Sequence, residues 1–327
     1  MIGTFKQKSP GNVVVLLIFG LLIKLPLFLA PKNIVATATD GPLYHWLLSV
    51  LTPENAFACS MLALGFLFTQ ALLITYLANE YRMMSRQNYL PGMAYLLITS
   101  LLPEWTYLSA PLIASSFIIW MFIKLFALYN QQNAKPQVYN IGLLAGISSY
   151  IYFPSACFVV CVLIGLMILK PFRLNEIILF ILGCITPYYF YGVYLFLFAQ
   201  FSVAAFVPHI AAEVPEIKSS IGLAVSTFLV MVPFIAGGFY LQKQMGKMLI
   251  QVRKNWSILL LYLLVAFFVP FLGDGDALYA LVLMAVPFSL FHACGYFYPA
   301  RRIVPLLLFF LTIAFVLYQQ FATPTWH

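Results

Sequence analysis

Asn140-Ile141-Gly142-Leu143-Leu144-Ala145-Gly146-Ile147-Ser148-Ser149-Tyr150-Ile151-Tyr152-Phe153-Pro154-Ser155-Ala156-Cys157-Phe158-Val159-Val160-Cys161-Val162-Leu163-Ile164-Gly165-Leu166-Met167-Ile168-Leu169 can be read as one long apolar helix or as two short ones. Pro154, following Ser148-Ser149-Tyr150, is a break point, because proline removes a helix hydrogen bond and clashes with the preceding turn. The choice decides the side of the membrane on which the whole second half of the chain emerges. If these residues form a hairpin, Lys6, Lys8, Arg82, Arg86, Lys124, Lys135, Lys170, Arg173, Lys243, Lys247, Arg253, Lys254, Arg301 and Arg302 share one side, and only Lys32 and Lys218 lie on loops of the other. A single helix would send Lys170 to Arg302 to the other side, against the cytoplasmic bias of Lys and Arg. The hairpin is therefore expected. Two helices of about 15 residues reach about 22 Å each, short of the roughly 30 Å hydrocarbon core. Their turn must then be buried in protein or face a water-filled cavity. Gly142 and Gly146 would let one of the two pack closely on a neighbour.

Working outward, the remaining apolar runs lie at about 13–30, 56–79, 90–102, 111–129, 174–198, 221–241, 256–272, 278–298 and 303–321. With the hairpin they make about eleven transmembrane helices in a single all-α polytopic domain, N-terminus cytoplasmic and C-terminus extracytoplasmic. Composition agrees: 63% of the 327 residues are hydrophobic and 8% charged, too few polar side chains to cover a soluble surface. The net charge of +8 sits on short loops, which reads as topology signal and headgroup contact, not as a nucleic-acid surface. The acids sort the opposite way. Asp40, Glu54, Glu104, Glu213, Glu216, Asp274 and Asp276 fall on the outer side, Glu80 and Glu176 on the inner. The five cysteines all lie in apolar runs; Cys157 and Cys161 share a helix face, but nothing nearby completes a metal site.

The first outer loop, about 32–55, holds the strongest chemical candidate. Its second half, about 41–51, reads as a short membrane-surface helix. Thr39 or Asp40 can cap it, Pro42 sits in its first turn, and Leu43, Trp46, Leu47, Val50 and Leu51 form one apolar stripe. Asp40 thus has two readings: an N-cap, or a general base or divalent-cation ligand at the membrane rim. His45 lies off the stripe, a surface histidine or a phosphate partner. Glu104, between Pro103 and Trp105, could approach the same cavity, and His209 lies on a later outer loop. Asp274 and Asp276 in Gly273-Asp274-Gly275-Asp276 resemble part of a calcium loop without its later ligands, and turn residues fit better. Lys24 lies inside the first span, where a cation either snorkels or meets an anion such as a lipid phosphate. No nucleotide-binding glycine loop, zinc helix, nucleophile elbow or haem motif is present.

This layout resembles the GT-C superfamily of glycosyltransferases, with a long first outer loop carrying an acid before a surface helix, followed by short paired helices. Asn140 to Lys170 looks like the glycine-containing fifth and sixth helices of that fold, and Gly273-Asp274-Gly275-Asp276-Ala277-Leu278-Tyr279 before a proline-containing span looks like its C-terminal half. The chain also resembles a group of Bacteroidota membrane proteins. The GT-C resemblance implies a bacterial inner-membrane enzyme that takes a sugar from a polyprenyl phosphate, with Asp40 as the base that deprotonates the acceptor and Glu104 as a weaker match to a second acidic site. Lys24, His45 and His209 would contact the donor. The departures are that Gly41 follows Asp40 where several branches have a second acid, that no large outer domain exists to hold a protein acceptor, and that the outer face has no arginine. A non-catalytic lipid-binding or scaffold subunit of an envelope complex is the alternative, with an envelope protein as partner. A transporter is less supported, because no acid lies mid-span.

Overall fold

The computed structural model describes residues 2–7, 9, 11–29, 31, 36–37, 39–51, 56–131, 134–171, 173–198, 220–273, 277–299 and 303–321. Every regular element among them is helical. The α-helices are α1 (Ile2–Phe5), α2 (Gly11–Ile23), α3 (Pro26–Leu29), α4 (Pro42–Val50), α5 (Ala56–Glu80), α6 (Leu90–Ile98), α7 (Ala110–Ala127), α8 (Lys135–Ile151), α9 (Phe158–Leu169), α10 (Leu174–Phe198), α11 (Ile221–Met245), α12 (Ile250–Phe268), α13 (Ala277–Ala280), α14 (Ala285–Phe297) and α15 (Ile303–Phe321). Six helical stretches are long and apolar enough to cross a bilayer: α5, α7, α10, α11, α12 with its 3-10 extension to Leu272, and Ala277–Phe297. Shorter apolar pieces, such as α2 and α15, accompany them. This is a helical membrane protein.

The stretch 140–169 breaks in two. α8 ends at Ile151, Tyr152 turns extended with φ −141 and ψ 105, and a 3-10 turn over Phe153–Cys157 leads into α9. Pro154 has no N–H to give the Tyr150 carbonyl, and its ring would clash with that carbonyl in a continuous helix, so the chain cannot run straight on. Side-chain pairings between α8 and α10 fix the direction in which α10 runs. Tyr139 meets Thr186 at 3.0 Å, the Tyr188 hydroxyl donates to Ser149 at 2.8 Å, and Tyr150 packs on Tyr191 at 5.3 Å between ring centroids. Both numberings advance together, so α8 and α10 are parallel and the chain must return between them through α9. The seam that holds α8 to α10 is made of small residues. A methyl on Gly142 would overlap the Phe180 carbonyl, one on Gly146 the Cys184 carbonyl, and one on Gly183 the Tyr139 carbonyl. Backbones approach this closely only where no side chain intervenes.

The loops at one end of the bundle carry the cations. Tyr89 N donates to Phe5 O (2.8 Å), Trp256 Nε1 to Met83 O (3.3 Å), and the Lys254 ammonium sits 5.4 Å from the Tyr129 ring centroid. These contacts gather the α1, α5–α6, α7–α8 and α11–α12 ends, with Arg82, Arg86 and Arg253 among their residues. Lys170, buried where α9 meets α10, pairs with buried Glu176 at 3.1 Å, and Arg173 adds a contact at 3.9 Å.

The run 13–30 is not one continuous span. α2 stops at Ile23, Lys24 and Leu25 form a turn, and α3 starts at Pro26. The run 90–102 is shorter still, because α6 ends at Ile98. Every residue of α6 is buried, in contact with α2, α5 and α14.

Candidate functional site

Opposite the cation-bearing end, the first loop and the α8 break meet. Gly41 N donates to Ile151 O at 2.8 Å and Phe153 N to Thr39 O at 3.3 Å, making an isolated antiparallel bridge between Asp40 and Tyr152. A broken helix inside a membrane protein leaves backbone groups in need of partners, and here residues 39–41 supply them. Gly41 is required at this crossing, since any Cβ there would collide with the Tyr150 carbonyl.

That pairing overturns the capping expectation. The N-cap of α4 is Gly41, with no side-chain cap, and neither Thr39 nor Asp40 serves. The Asp40 carboxylate turns back instead to its own loop, where its Oδ2 accepts from Thr37 N at 2.6 Å, while the Thr37 and Thr39 hydroxyls lie 3.1 Å apart. Asp40 is 3% exposed. Burial raises its pKa above the ordinary carboxylate value, opposed in part by the Thr37 hydrogen bonds and by His45.

The apolar stripe of α4 divides between residues packed on protein and residues turned outward. Tyr44 is the helix's buried residue, with Leu43, Leu47, Leu48 and Leu51 packed beside it, whereas Trp46 and Val50 are 62% and 60% exposed. The helix thus touches protein along Tyr44 and turns Trp46 outward, as an interfacial tryptophan would be. The Tyr44 hydroxyl donates to Leu108 O at 3.4 Å. Burial first, and then the Asp40 charge, raise its pKa.

Beside Asp40 opens a narrow pocket lined by Thr37, Thr39, Ser109, Tyr152, Gly273 and Tyr279 as well as by Asp40 itself. Its walls come from four separated parts of the chain. Trp105 Nε1 donates to Leu278 O at 2.8 Å, which fastens the 3-10 turn Pro103–Trp105 to the α13 wall. A pocket with one acid, several hydroxyls and no lysine or arginine among its described lining can orient a hydroxyl-bearing molecule and accept its proton.

Of the candidates read from sequence, Asp40 lines this pocket. His45 is exposed on α4, near enough to act on Asp40 electrostatically. Glu104 sits on the turn that Trp105 fastens but does not line the cavity. Lys24 is deeply buried beside α6 and outside the lining. His209, Asp274, Asp276, Lys32 and Lys218 lie outside the described residues. Among the described residues no group of three or more His, Cys, Asp or Glu could hold a metal ion. Sequence reasoning missed Thr37, Ser109, Tyr152 and Tyr279. Only Ser109, just before the proline-marked start of α7, carried a local signal.

No family model matches the chain, and no curated protein or solved structure does either. The site's chemistry has to be argued from its own residues.

Proposed function

We propose that this chain is a glycosyltransferase-like membrane enzyme that uses a polyprenyl-phosphate-linked sugar at the Asp40 end of the bundle, with Asp40 as general base. One observation carries the reading. A carboxylate that caps no helix is buried at a pocket wall, with its pKa raised toward the range where a base works near neutral pH. In the reaction, Asp40 takes the proton of an acceptor hydroxyl as its oxygen attacks the anomeric carbon. The bond from that carbon to the phosphate oxygen breaks, the phosphate leaves with the electron pair, and the configuration inverts. The reading assigns the Asp40 end to the extracytoplasmic face of a bacterial inner membrane, with about eleven passes and a cytoplasmic N-terminus. The resemblance to GT-C enzymes supplies the donor class. His45 and His209 remain proposed donor contacts, Lys24 would meet a lipid phosphate, and a divalent cation would fit the acid's second role.

The experiment is transfer from a radiolabelled polyprenyl-phosphate sugar by membranes containing the wild type or Asp40→Asn. The substitution is expected to lower transfer about a hundred- to ten-thousandfold with insertion unchanged. Full transfer by the variant removes Asp40 from the chemistry. The second reading, a lipid-binding or scaffold subunit of an envelope complex, draws on the lack of any Lys or Arg in the described lining to neutralise a leaving phosphate. It forecasts no transfer from either protein and a stoichiometric envelope partner on purification.

A further inference from the structure

Lys24 has surroundings that the Asp40 pocket does not explain. It ends the first helical stretch at 1% exposure. Its Nζ donates to Thr99 Oγ1 at 3.0 Å, and Thr99 is its only polar partner among the described residues. An ammonium carries three donors, so two are unmatched among the described residues. Thr99 Oγ1 in turn donates to Tyr95 O and Leu96 O, at 2.9 and 3.2 Å, in the last turn of α6. That helix end offsets part of the positive charge, but no carboxylate among the described residues comes within the 4.0 Å of an ion pair. A buried cation held only by a neutral hydroxyl is incomplete.

One helical turn away begins an apolar groove with about 530 Å³ of empty space between α2, α5 and α6. Gly20 and Leu21, one turn before Lys24, line its head, as does Leu96, one turn before Thr99; it then runs along the helices past Leu17 and Phe68. A second groove, with about 840 Å³ of empty space, lies on the other side of α5 and reaches Trp120 on α7. Met61 and Gly65 belong to both. A Cβ on Gly65 would meet nothing within 4 Å, so α5 forms only a low ridge between them. Leu17, Leu21, Met61 and Trp120 are exposed on the flank of the bundle.

We propose that this flank binds an anionic phospholipid, its phosphate paired with Lys24 and one acyl chain in each groove astride α5. The unmatched ammonium selects an anion. The grooves follow α5 from Met61 to Phe68 and Leu73, and Lys24 lies one turn beyond Gly20 and Leu21 of the first, nearer the Asp40 end, which matches a lipid lying along the membrane normal. Two grooves that share a ridge select a two-chain lipid, since a single polyprenyl chain would occupy only one. The flexible lysine stem spans the one-turn gap of about 5.4 Å from Thr99 to the groove head. The site is separate from the Asp40 pocket and does not depend on its chemistry.

The test uses the full chain in nanodiscs of phosphatidylcholine alone or of phosphatidylcholine with phosphatidylglycerol, and reads the thermal unfolding midpoint and the lipid retained on purification. Phosphatidylglycerol is expected to raise the wild-type midpoint. Lys24→Met is expected to show no such rise and, in phosphatidylcholine alone, to unfold at or above the wild-type temperature, because an unpaired buried charge has been removed. Retained phosphatidylglycerol is expected to fall about tenfold or more in that variant. Gly65→Trp, which builds up the ridge while leaving Lys24 in place, is expected to lose most of the phosphatidylglycerol response. A wild-type midpoint indifferent to phosphatidylglycerol overturns the proposal. So does a Lys24→Met midpoint below wild type in phosphatidylcholine, which would leave Lys24 as a cap for α6. Lys24-dependent retention of a polyprenyl phosphate in place of phosphatidylglycerol overturns it as well.

Discussion

Asp40 holds its carboxyl where water would stabilise the charge better, and the sign of that cost can be worked out. Burial raises its pKa in the folded chain, so the folded state binds the proton more tightly than the unfolded one. Its contribution to stability therefore falls as pH rises from the ordinary carboxylate value through the folded one. Asp40→Asn keeps an oxygen for the Thr37 N–H and removes the charge. Near neutral pH the variant should unfold at a higher temperature than wild type, by an amount worth about 0.5–2 kcal/mol, with the gap closing in acid. Thermal unfolding in detergent across pH checks this. A transfer reaction that needs the ionised carboxylate should instead rise with pH and level off above the raised pKa. Gly41 is the less forgiving neighbour. Gly41→Ala pushes a methyl into the Tyr150 carbonyl and should cost about 1–3 kcal/mol, read as a lower unfolding midpoint with loss of any Asp40-dependent activity.

At the scale of elements, the α8–α10 seam makes the clearest forecast. Gly142→Leu must separate two backbones that now touch at Phe180 and Gly183. It should cost about 1–3 kcal/mol, whereas Gly238→Leu, where a Cβ meets nothing within 4 Å, should be close to neutral. Denaturation of both variants in one detergent compares them. This seam was legible in the sequence, because two glycines four apart in an apolar helix announce close packing, and so was the break at Pro154. Long apolar runs gave α10 and α15 their bounds to the residue. The site was legible only in part. Asp40 stood out as a lone acid before a helix start, but the same local pattern made it a cap. The Gly41 N–H is taken by Ile151, a partner far along the chain that no local rule can supply. The face of α4 that meets protein was legible only in part. An apolar stripe says which residues avoid water, not which of them meet protein and which meet lipid, so the stripe put α4 on the membrane surface without singling out Tyr44 as the residue that packs inward. Lys24 showed its depth in the sequence but not its partner, since Thr99 belongs to a different helix.

Across the whole molecule, the contacts among Phe5, Met83, Tyr129 and Trp256 gather cation-bearing loops at one end, and Asp40, Tyr152 and Gly273 lie at the other. On the Lys and Arg bias the first end is expected in the cytoplasm. Single cysteines introduced at Gln87 and Gln244 should therefore react with a membrane-impermeant maleimide only after the membrane is opened, and one at Thr37 should react in intact cells. Labelling of Gln244 from outside would reverse the second half of the chain and remove the Asp40 pocket from the face where its proposed donor is displayed.

The two backbone hydrogen bonds between the first loop and the α8 break also set a timetable for the protein's manufacture. A chain emerging from the ribosome inserts its N-terminal helices first, so residues 39–41 reach the far side of the membrane well before Ile151 and Phe153 exist to receive them. Until α8 has crossed and turned, the Gly41 N–H and the Thr39 carbonyl have no docking strand, and the loop stays open to proteases. Nascent chains stalled ahead of Tyr152 should be cut within this loop by protease added from the far side, and chains stalled beyond α10 should resist. The pocket is thus a late product of synthesis, absent until α8 has turned and the wall of Gly273, Ala277 and Ala280 has followed it, and a chain arrested early would display the acid without the cavity that gives it a role.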